Sequence, residues 1–356
     1  MNMDVDLDGL FSHNGTYNYE DDYEYNEDIA PGAGKAVWAP VLYSMVLVVG
    51  LLGNGLLLAI LAQKRRSWSI ADTFILHLSV ADILLLVTLP FWAAQAARPS
   101  GWCFGDFLCK ISGAVFNINF YCGIFLLVVI SLDRYLSIVH ATQRFSLKKP
   151  RLAHISFLSV WIFSLLLSIP DCAFLVARRD PAQAKTLCDH SFSQAVIGWR
   201  LVSRVLHLTL GFLLPAAALV VCCSCVLQKQ RTVTLIMPLV GLFLLCWVPY
   251  NITLIVDTFR SCSKEPDETE SCLKAALTFT WALGCMHACL RPLLYFGRCK
   301  NFRKQTLAMF RCAKVESQSS LWGLGVGEEA LPDQNAEGEA LKQMESEGHQ
   351  VQSTQC

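Results

Sequence analysis

The chain has 356 residues, no net formal charge, 54% hydrophobic residues and only 16% charged ones. A soluble domain would carry about 25% charged residues, so the composition points to the lipid bilayer and away from nucleic acid, and it implies no cofactor. Zero net charge conceals a segregated distribution, which the chain reveals when taken in order.

Residues 1–37 hold Asp4, Asp6, Asp8, Glu20, Asp21, Asp22, Glu24, Glu27 and Asp28 against Lys35. The segment is too polar to pack a core and reads as a disordered extracellular tail. It carries the glycosylation sequon Asn14-Gly15-Thr16 and sets Tyr17, Tyr19, Tyr23 and Tyr25 among acids. One reading is a solvated tail; the other is an anionic docking strip for a cationic partner, strengthened by tyrosine sulfation. The acidic start shows no basic n-region or apolar h-region of a cleavable signal peptide, so the first helix is expected to direct insertion.

Seven apolar stretches follow, at about 38–63, 71–97, 107–132, 153–177, 199–227, 232–256 and 275–296. About 20 residues at about 1.5 Å each cross a bilayer core. Lipid offers the backbone no hydrogen-bond partner, so these are helices; the short alternating segments of a barrel are absent. The sequence therefore predicts an all-α membrane protein, a seven-transmembrane-helix bundle over 38–296. Lys64-Arg65-Arg66, then Arg134, Arg144, Lys148, Lys149 and Arg151, then Arg298, Lys300, Arg303, Lys304 and Arg311 mark one side. That side is expected to be cytoplasmic, with the N-terminus outside and the C-terminus inside.

Polar residues within spans are costly and face the bundle interior: Asn54, Asp82, Asn117, Asn119, His287 and Arg291. Pro90, Pro170, Pro215, Pro249 and Pro292 each free a carbonyl and bend a helix, which suits a cavity open to the outside. His77, His207 and His287 lie on different helices without ligand spacing and read as packing or hydrogen-bonding residues, with no metal site. Cys109 and Cys188 sit at outer boundaries, where a disulfide would pin the loop after helix 4 over the bundle mouth. With no cysteine in 1–102, Cys262 and Cys272 are the economical second pair, which leaves Cys103 as a free thiol. Residues 297–312 place Phe302, Leu307 and Phe310 on a basic segment, as in an amphipathic helix on the membrane surface, with Cys299 and Cys312 as palmitoylation candidates. Residues 313–356 are acidic and polar and read as a disordered tail.

These residues resemble the rhodopsin-class G-protein-coupled receptors over about 38–312. The class motifs are Gly53-Asn54, Leu78-Ser79-Val80-Ala81-Asp82, Asp133-Arg134-Tyr135, Trp161, Pro215 and Cys246-Trp247-Val248-Pro249. Within the class, Thr88-Leu89-Pro90-Phe91-Trp92, Trp102-Cys103-Phe104-Gly105 and Asp133 through Thr142 resemble chemokine receptors. The stretches Phe116 to Tyr121 and Ile138 to Gln143 are most similar to the type 3 members of the CXC group. The resemblance implies a basic CXC chemokine as ligand, its body on the acidic tail and its N-terminus in the helical cavity. It nominates Trp92, Phe116, Asp171, Arg200, Tyr250, Asp257 and Trp281 as pocket residues; packing roles for the aromatics and mere solvation for the two acids are the alternatives. It also implies an arrestin and an inhibitory G protein as inner partners, the plasma membrane as location with cycling through endosomes, and a signalling switch at Asp82, Asn119, Asp133, Arg134, Tyr135, Trp247, Arg291 and Tyr295. A transporter would show inverted repeats, which are not seen.

Three departures from the family pattern fall in the inner half. Helix 7 reads Arg291-Pro292-Leu293-Leu294-Tyr295 where the family has Asn-Pro-x-x-Tyr. Mid-membrane arginine needs a partner: either Asp82, across the class's sodium cavity, or cytoplasmic water reached by snorkelling. Cys223 replaces the family's helix 5 tyrosine. Pro215 and Pro249 are only 34 positions apart, so after a turn each helix has about 22 Å, which reaches the membrane surface and no farther; Pro238 is expected to interrupt helix 6. Asp133-Arg134-Tyr135 is intact, whether as a signalling trio or as a structural ion pair. The readings are therefore an atypical receptor that binds and clears chemokine with little or no G-protein activation, and a conventional receptor coupled to inhibitory G proteins.

Overall fold

A computed structural model describes residues 33–64, 69–139, 150–180, 185–190, 197–229, 235–263 and 270–310. Seven helices in it are long and apolar enough to cross a membrane. They are α1 (Ala33–Gln63), α2 (Ile70–Ala97), α3 (Gly105–Ile138), α4 (Pro150–Ala173), α5 (Ile197–Leu206 continuing through Leu214–Lys229), α6 (Ile236–Ser263) and α7 (Glu270–Arg298). A short α8 (Lys300–Phe310) follows, and β1 (Leu175–Asp180) pairs antiparallel with β2 (Lys185–His190) between α4 and α5. We refer below to the hairpin end and the α8 end of the bundle. The architecture is the predicted seven-helix bundle.

The core lies along α3, which touches α2, α4, α5 and α6, while α1 packs on α2 and α7. The outward faces stay apolar: Val41, Met45, Val48 and Leu52 on α1, and Ile155, Leu158, Ile162 and Leu166 on α4, are all exposed. Exposed apolar faces of this extent mark a membrane or protein-contact surface, and on helices long enough to span a bilayer they suit lipid. Local chemistry sets the ends. Ser69 and Asp72 form a capping box at the start of α2, and Lys64 Nζ stands 3.0 Å from Asp72 Oδ2.

Prolines shape the interior in specific ways. Pro292 lacks an N–H and so frees the Ala288 carbonyl four residues back; Asn54 Nδ2 donates to that carbonyl at 3.0 Å and to Gly50 O at 2.9 Å. Gly53 makes this approach possible, because a Cβ there would come within 2.6 Å of Pro292. Pro215 acts differently: just before it α5 widens into a π segment, His207–Leu213, in which Leu214 N–H bonds back five residues to Thr209 O. A proline that cannot bond four residues back favours such a widening, and π segments gather at functional sites.

Several boundaries correct the sequence reading. Helix α1 already begins at Ala33, inside the segment assigned to the tail. The fourth apolar run was expected to reach 177, but it leaves the helix at Ala173 and turns into β1. There Leu175 is buried against Trp102, Cys109 and Cys188, so packing of the hairpin overrides the hydrophobic run. Pro238 does not interrupt α6: the helix starts at Ile236 and Pro238 falls in the first turn, where no backbone N–H is needed. On α8, Phe302 and Thr306 are buried while Leu307 is 43% exposed. The inward stripe is therefore Phe302, Thr306 and Met309, and Leu307 lies off it; the Phe310 side chain is outside the described residues.

The hairpin is fastened on three sides. Cys109 and Cys188 form a disulfide with Cα atoms 5.5 Å apart. Cys188 N–H donates to Gln95 Oε1 of α2 at 2.8 Å, and Ala177 N–H to Asp106 Oδ1 of α3 at 2.7 Å. Trp102 N–H donates to Thr186 O, and Thr186 N–H to Ser100 O. Gly101 makes that crossing with φ +74°, a conformation that glycine adopts without penalty.

Candidate functional site

At the hairpin end four helices bring aromatic rings together. Trp92 of α2 and Trp281 of α7 lie 5.0 Å apart by ring centroid, Phe116 of α3 stacks on Trp281 at 4.8 Å, and Tyr250 of α6 meets Phe116 edge-on at 5.6 Å. Tyr250 follows Pro249 directly and Trp92 lies two residues after Pro90, each proline falling within its helix. Phe116 also reaches Trp247 at 5.3 Å, and Trp247, fully buried, rests on Phe120 at 4.7 Å. One continuous ring contact thus runs from the hairpin end into the middle of the bundle.

Two acid–base groups flank these rings. Asp171, at the end of α4, accepts from Asn117 Nδ2 at 2.7 Å and faces His190 Nε2 of β2 at 3.0 Å. Asp257 of α6 accepts from Arg200 Nη2 at 3.0 Å, with Arg204 Nη2 at 3.9 Å. The two acids are therefore partnered, not merely solvated. His190 and Arg204 had not been singled out. Arg204 could have been, since it lies four residues from Arg200 on one helical face; His190 is placed by the hairpin, which left no sequence signal. Deeper, His207 Nδ1 is 2.8 Å from Tyr121 Oη and its ring stacks on Phe120 at 5.0 Å. Trp161 Nε1 donates to His77 Nδ1 at 3.2 Å.

In the middle of the bundle Arg291 Nη2 lies 2.6 Å from Asp82 Oδ1, and Asn119 Nδ2 donates to the same oxygen at 3.0 Å. His287 Nδ1 is 3.3 Å from Arg291 Nη2. Arg291 is 2% exposed and Asp82 wholly buried, so the arginine turns inward to the carboxylate and does not snorkel. Stripping either charge of water alone costs several kcal/mol; attraction of about 4 kcal/mol at 4 Å and an effective dielectric near 20 offsets that only while both partners are present.

Residues 53–295 match the family described as 7 transmembrane receptor (rhodopsin family). The C-X-C chemokine receptor type 3 of Homo sapiens is 42% identical over 282 residues, which cover 75% of this chain and 74% of the relative. That of Capra hircus is likewise 42% identical over 282 residues, with the same shares of 75% and 74%. The C-X-C chemokine receptor type 4-B of Xenopus laevis is 33% identical over 337 residues, 90% of this chain and 91% of the relative. The chain belongs to the CXC chemokine receptors of the rhodopsin family. It is thus a multi-pass membrane receptor and not an enzyme.

The α8 end of the bundle gathers several of the residues singled out from the sequence. Tyr295 is buried. Cys223 is half-buried and lines a narrow crevice with Ser131, Arg134, Cys222, Val226, Ile236 and Met237. Asp133 is buried and Arg134 half-buried, with Tyr135 in the same last turns of α3. Helix α5 stops at Lys229 and α6 resumes at Ile236.

Four cysteine expectations meet the structure directly. The Cys109–Cys188 bridge is formed. The Cys262–Cys272 bridge is not: Cys272 is exposed with a free thiol at the start of α7, and the Cys262 side chain is outside the described residues. Cys103 is free and exposed, with Arg98 Nη1 2.6 Å from its sulfur. Cys299, a palmitoylation candidate, is buried between α7 and α8, and burial pushes its thiol up to about 11. It is not presented for acylation. Cys312, Asn14, Tyr17, Tyr19, Tyr23 and Tyr25 lie outside the described residues.

Proposed function

We propose that this receptor binds a basic CXC chemokine at the hairpin end, takes it into the cell, and activates G proteins weakly or not at all. In this reading the hairpin faces outward and α8 lies on the cytoplasmic face of the plasma membrane. The acidic tail, with Tyr17, Tyr19, Tyr23, Tyr25 and a glycosylated Asn14, meets the body of the chemokine; opposite charge there speeds encounter more than it deepens affinity. The chemokine N-terminus enters over Trp92, Phe116, Tyr250 and Trp281. Its cationic and polar groups compete for Asp171 and Asp257, which His190, Asn117, Arg200 and Arg204 hold in position. Arrestin is the inner partner that serves uptake, and the receptor cycles through endosomes.

The observation that carries the silent half of this reading is the ion pair of Arg291 with Asp82, which ties α7 to α2 in the middle of the bundle. A shift of α7 against α2 must separate two buried charges, and a buried ion pair is costly to break. Cys223 and the short connection from Lys229 to Ile236 act in the same direction, since both remove material from the inner face. The second reading, a receptor that couples to inhibitory G proteins and drives calcium flux and chemotaxis, is favoured by Asp133-Arg134-Tyr135.

The deciding experiment exposes one cell line to a panel of basic CXC chemokines and measures binding, uptake and G-protein activation together. Saturable binding and uptake without calcium flux or cyclic-AMP change is expected. Robust signalling abolished by pertussis toxin would sink the silent reading and leave the binding one intact.

A further inference from the structure

The charge cluster in the middle of the bundle is only partly satisfied by protein. Asp82 Oδ2, Asn119 Oδ1 and Asn54 Oδ1 are buried acceptors without a protein partner, and Arg291 Nε and Nη1 are buried donors without one. Buried polar atoms of this kind are completed by ordered water, which both donates and accepts. A cation could serve the three oxygens but not the two N–H groups.

The family resemblance implies a sodium ion at Asp82, and the residues here do not fit one. Asp82 Oδ1 already accepts from Asn119 and from Arg291. The single carboxylate charge is balanced by a guanidinium, a permanent charge at physiological pH. A second cation would meet that like charge where screening by salt is weak. His287 adds no negative charge: to accept from Arg291 Nη2 through Nδ1 it must be neutral, with its proton on Nε2. Among the described residues no group of three or more His, Cys, Asp or Glu side chains is placed to hold a metal.

We propose that Arg291 is a built-in counter-cation: this receptor holds ordered water, not sodium, between α2, α3 and α7, and its stability is indifferent to sodium. The inference does not depend on which chemokine binds or whether G proteins respond. Its test uses neither, so its failure is distinguishable from failure of the proposed function.

Full-length receptor purified in detergent is unfolded thermally in sodium chloride and in choline chloride at equal ionic strength. Wild type is expected to unfold at one midpoint in both salts. Arg291→Asn, which leaves the carboxylate without its counter-charge, is expected to gain a midpoint several degrees higher in sodium, saturating with concentration as binding to the folded state requires. Arg291→Lys keeps the charge and stays indifferent. A sodium-specific rise in wild type overturns the inference, and so does an Arg291→Asn receptor that folds yet ignores sodium. If Arg291→Asn does not fold, wild type and Arg291→Lys carry the test: sodium indifference in both is required, and a sodium response in either overturns it.

Discussion

Burial decides the chemistry of Cys299, the cysteine that precedes α8. Cys299 is closed in between α7 and α8 and its thiol is pushed up to about 11. The reactive species is the thiolate, so little of Cys299 is reactive at neutral pH, and its burial adds to the barrier. In an acyl-exchange assay, Cys299→Ala is expected to leave any palmitate label unchanged, whereas Cys312→Ala removes it; loss of label in the Cys299 variant would contradict the burial. The same distinction separates the charge pairs. Arg200 and Asp257 keep 28% and 18% of their side chains exposed, so water still screens the pair, and ion pairs in contact with solvent contribute on the order of 1 kcal/mol. Arg200→Met is therefore expected to unfold within a few degrees of wild type while binding chemokine more weakly, because it releases Asp257 from its position. A large drop in unfolding temperature would mean that the pair is structural. The family resemblance made Arg200 and Asp257 legible as residues, but not as partners, because the side chains meet only after α5 and α6 pack.

At the scale of elements, the helices were legible because lipid enforces them through length and apolarity alone. The π segment and the hairpin were not. A π segment depends on where one carbonyl finds its donor, and only Pro215 hints at that. The hairpin depends on a disulfide, Gln95 and Asp106, which come from far along the chain. Asn54 shows how one side chain can join two elements. It supplies the donor that Pro292 withholds from the Ala288 carbonyl, so Asn54→Ala leaves a buried acceptor unmade and is expected to destabilise by about 1–3 kcal/mol. Asp82→Asn should cost more, about 3–5 kcal/mol, because it strands a buried guanidinium. Thermal unfolding of both variants in one detergent would rank them; equal stability of Asp82→Asn and wild type would mean that the Arg291 pair contributes nothing.

For the whole molecule, the hydropathy profile and the motifs led to the architecture, the family and the departures gathered at one end, while the contacts that hold each end emerged only from the structure. The hairpin end is held from α2, α3 and the 98–104 connection at once. The α8 end narrows to the crevice of Arg134 and Cys223, and α5 stops at Lys229 and α6 resumes at Ile236, as the proline spacing implies. Among the described residues, rigidity at the hairpin end has one covalent source, the Cys109–Cys188 bridge, with the two cysteines 79 positions apart. For a fully unfolded chain, closing a loop of that size removes about 4.5 kcal/mol of chain entropy. In a membrane the helices persist after tertiary contacts are lost, so the reference state is already restricted and the bridge contributes less than that to global stability. Its effect is then concentrated where it sits, on the orientation of β1 and β2 above Asp171. Cys109→Ser with Cys188→Ser is therefore expected to retain the helical circular-dichroism spectrum and reach the membrane, but to lose most chemokine binding, as His190 leaves Asp171 and the hairpin drifts over the cavity. Binding that survives removal of the bridge would show that Gln95, Asp106 and the Gly101–Thr186 crossing suffice to hold the hairpin open.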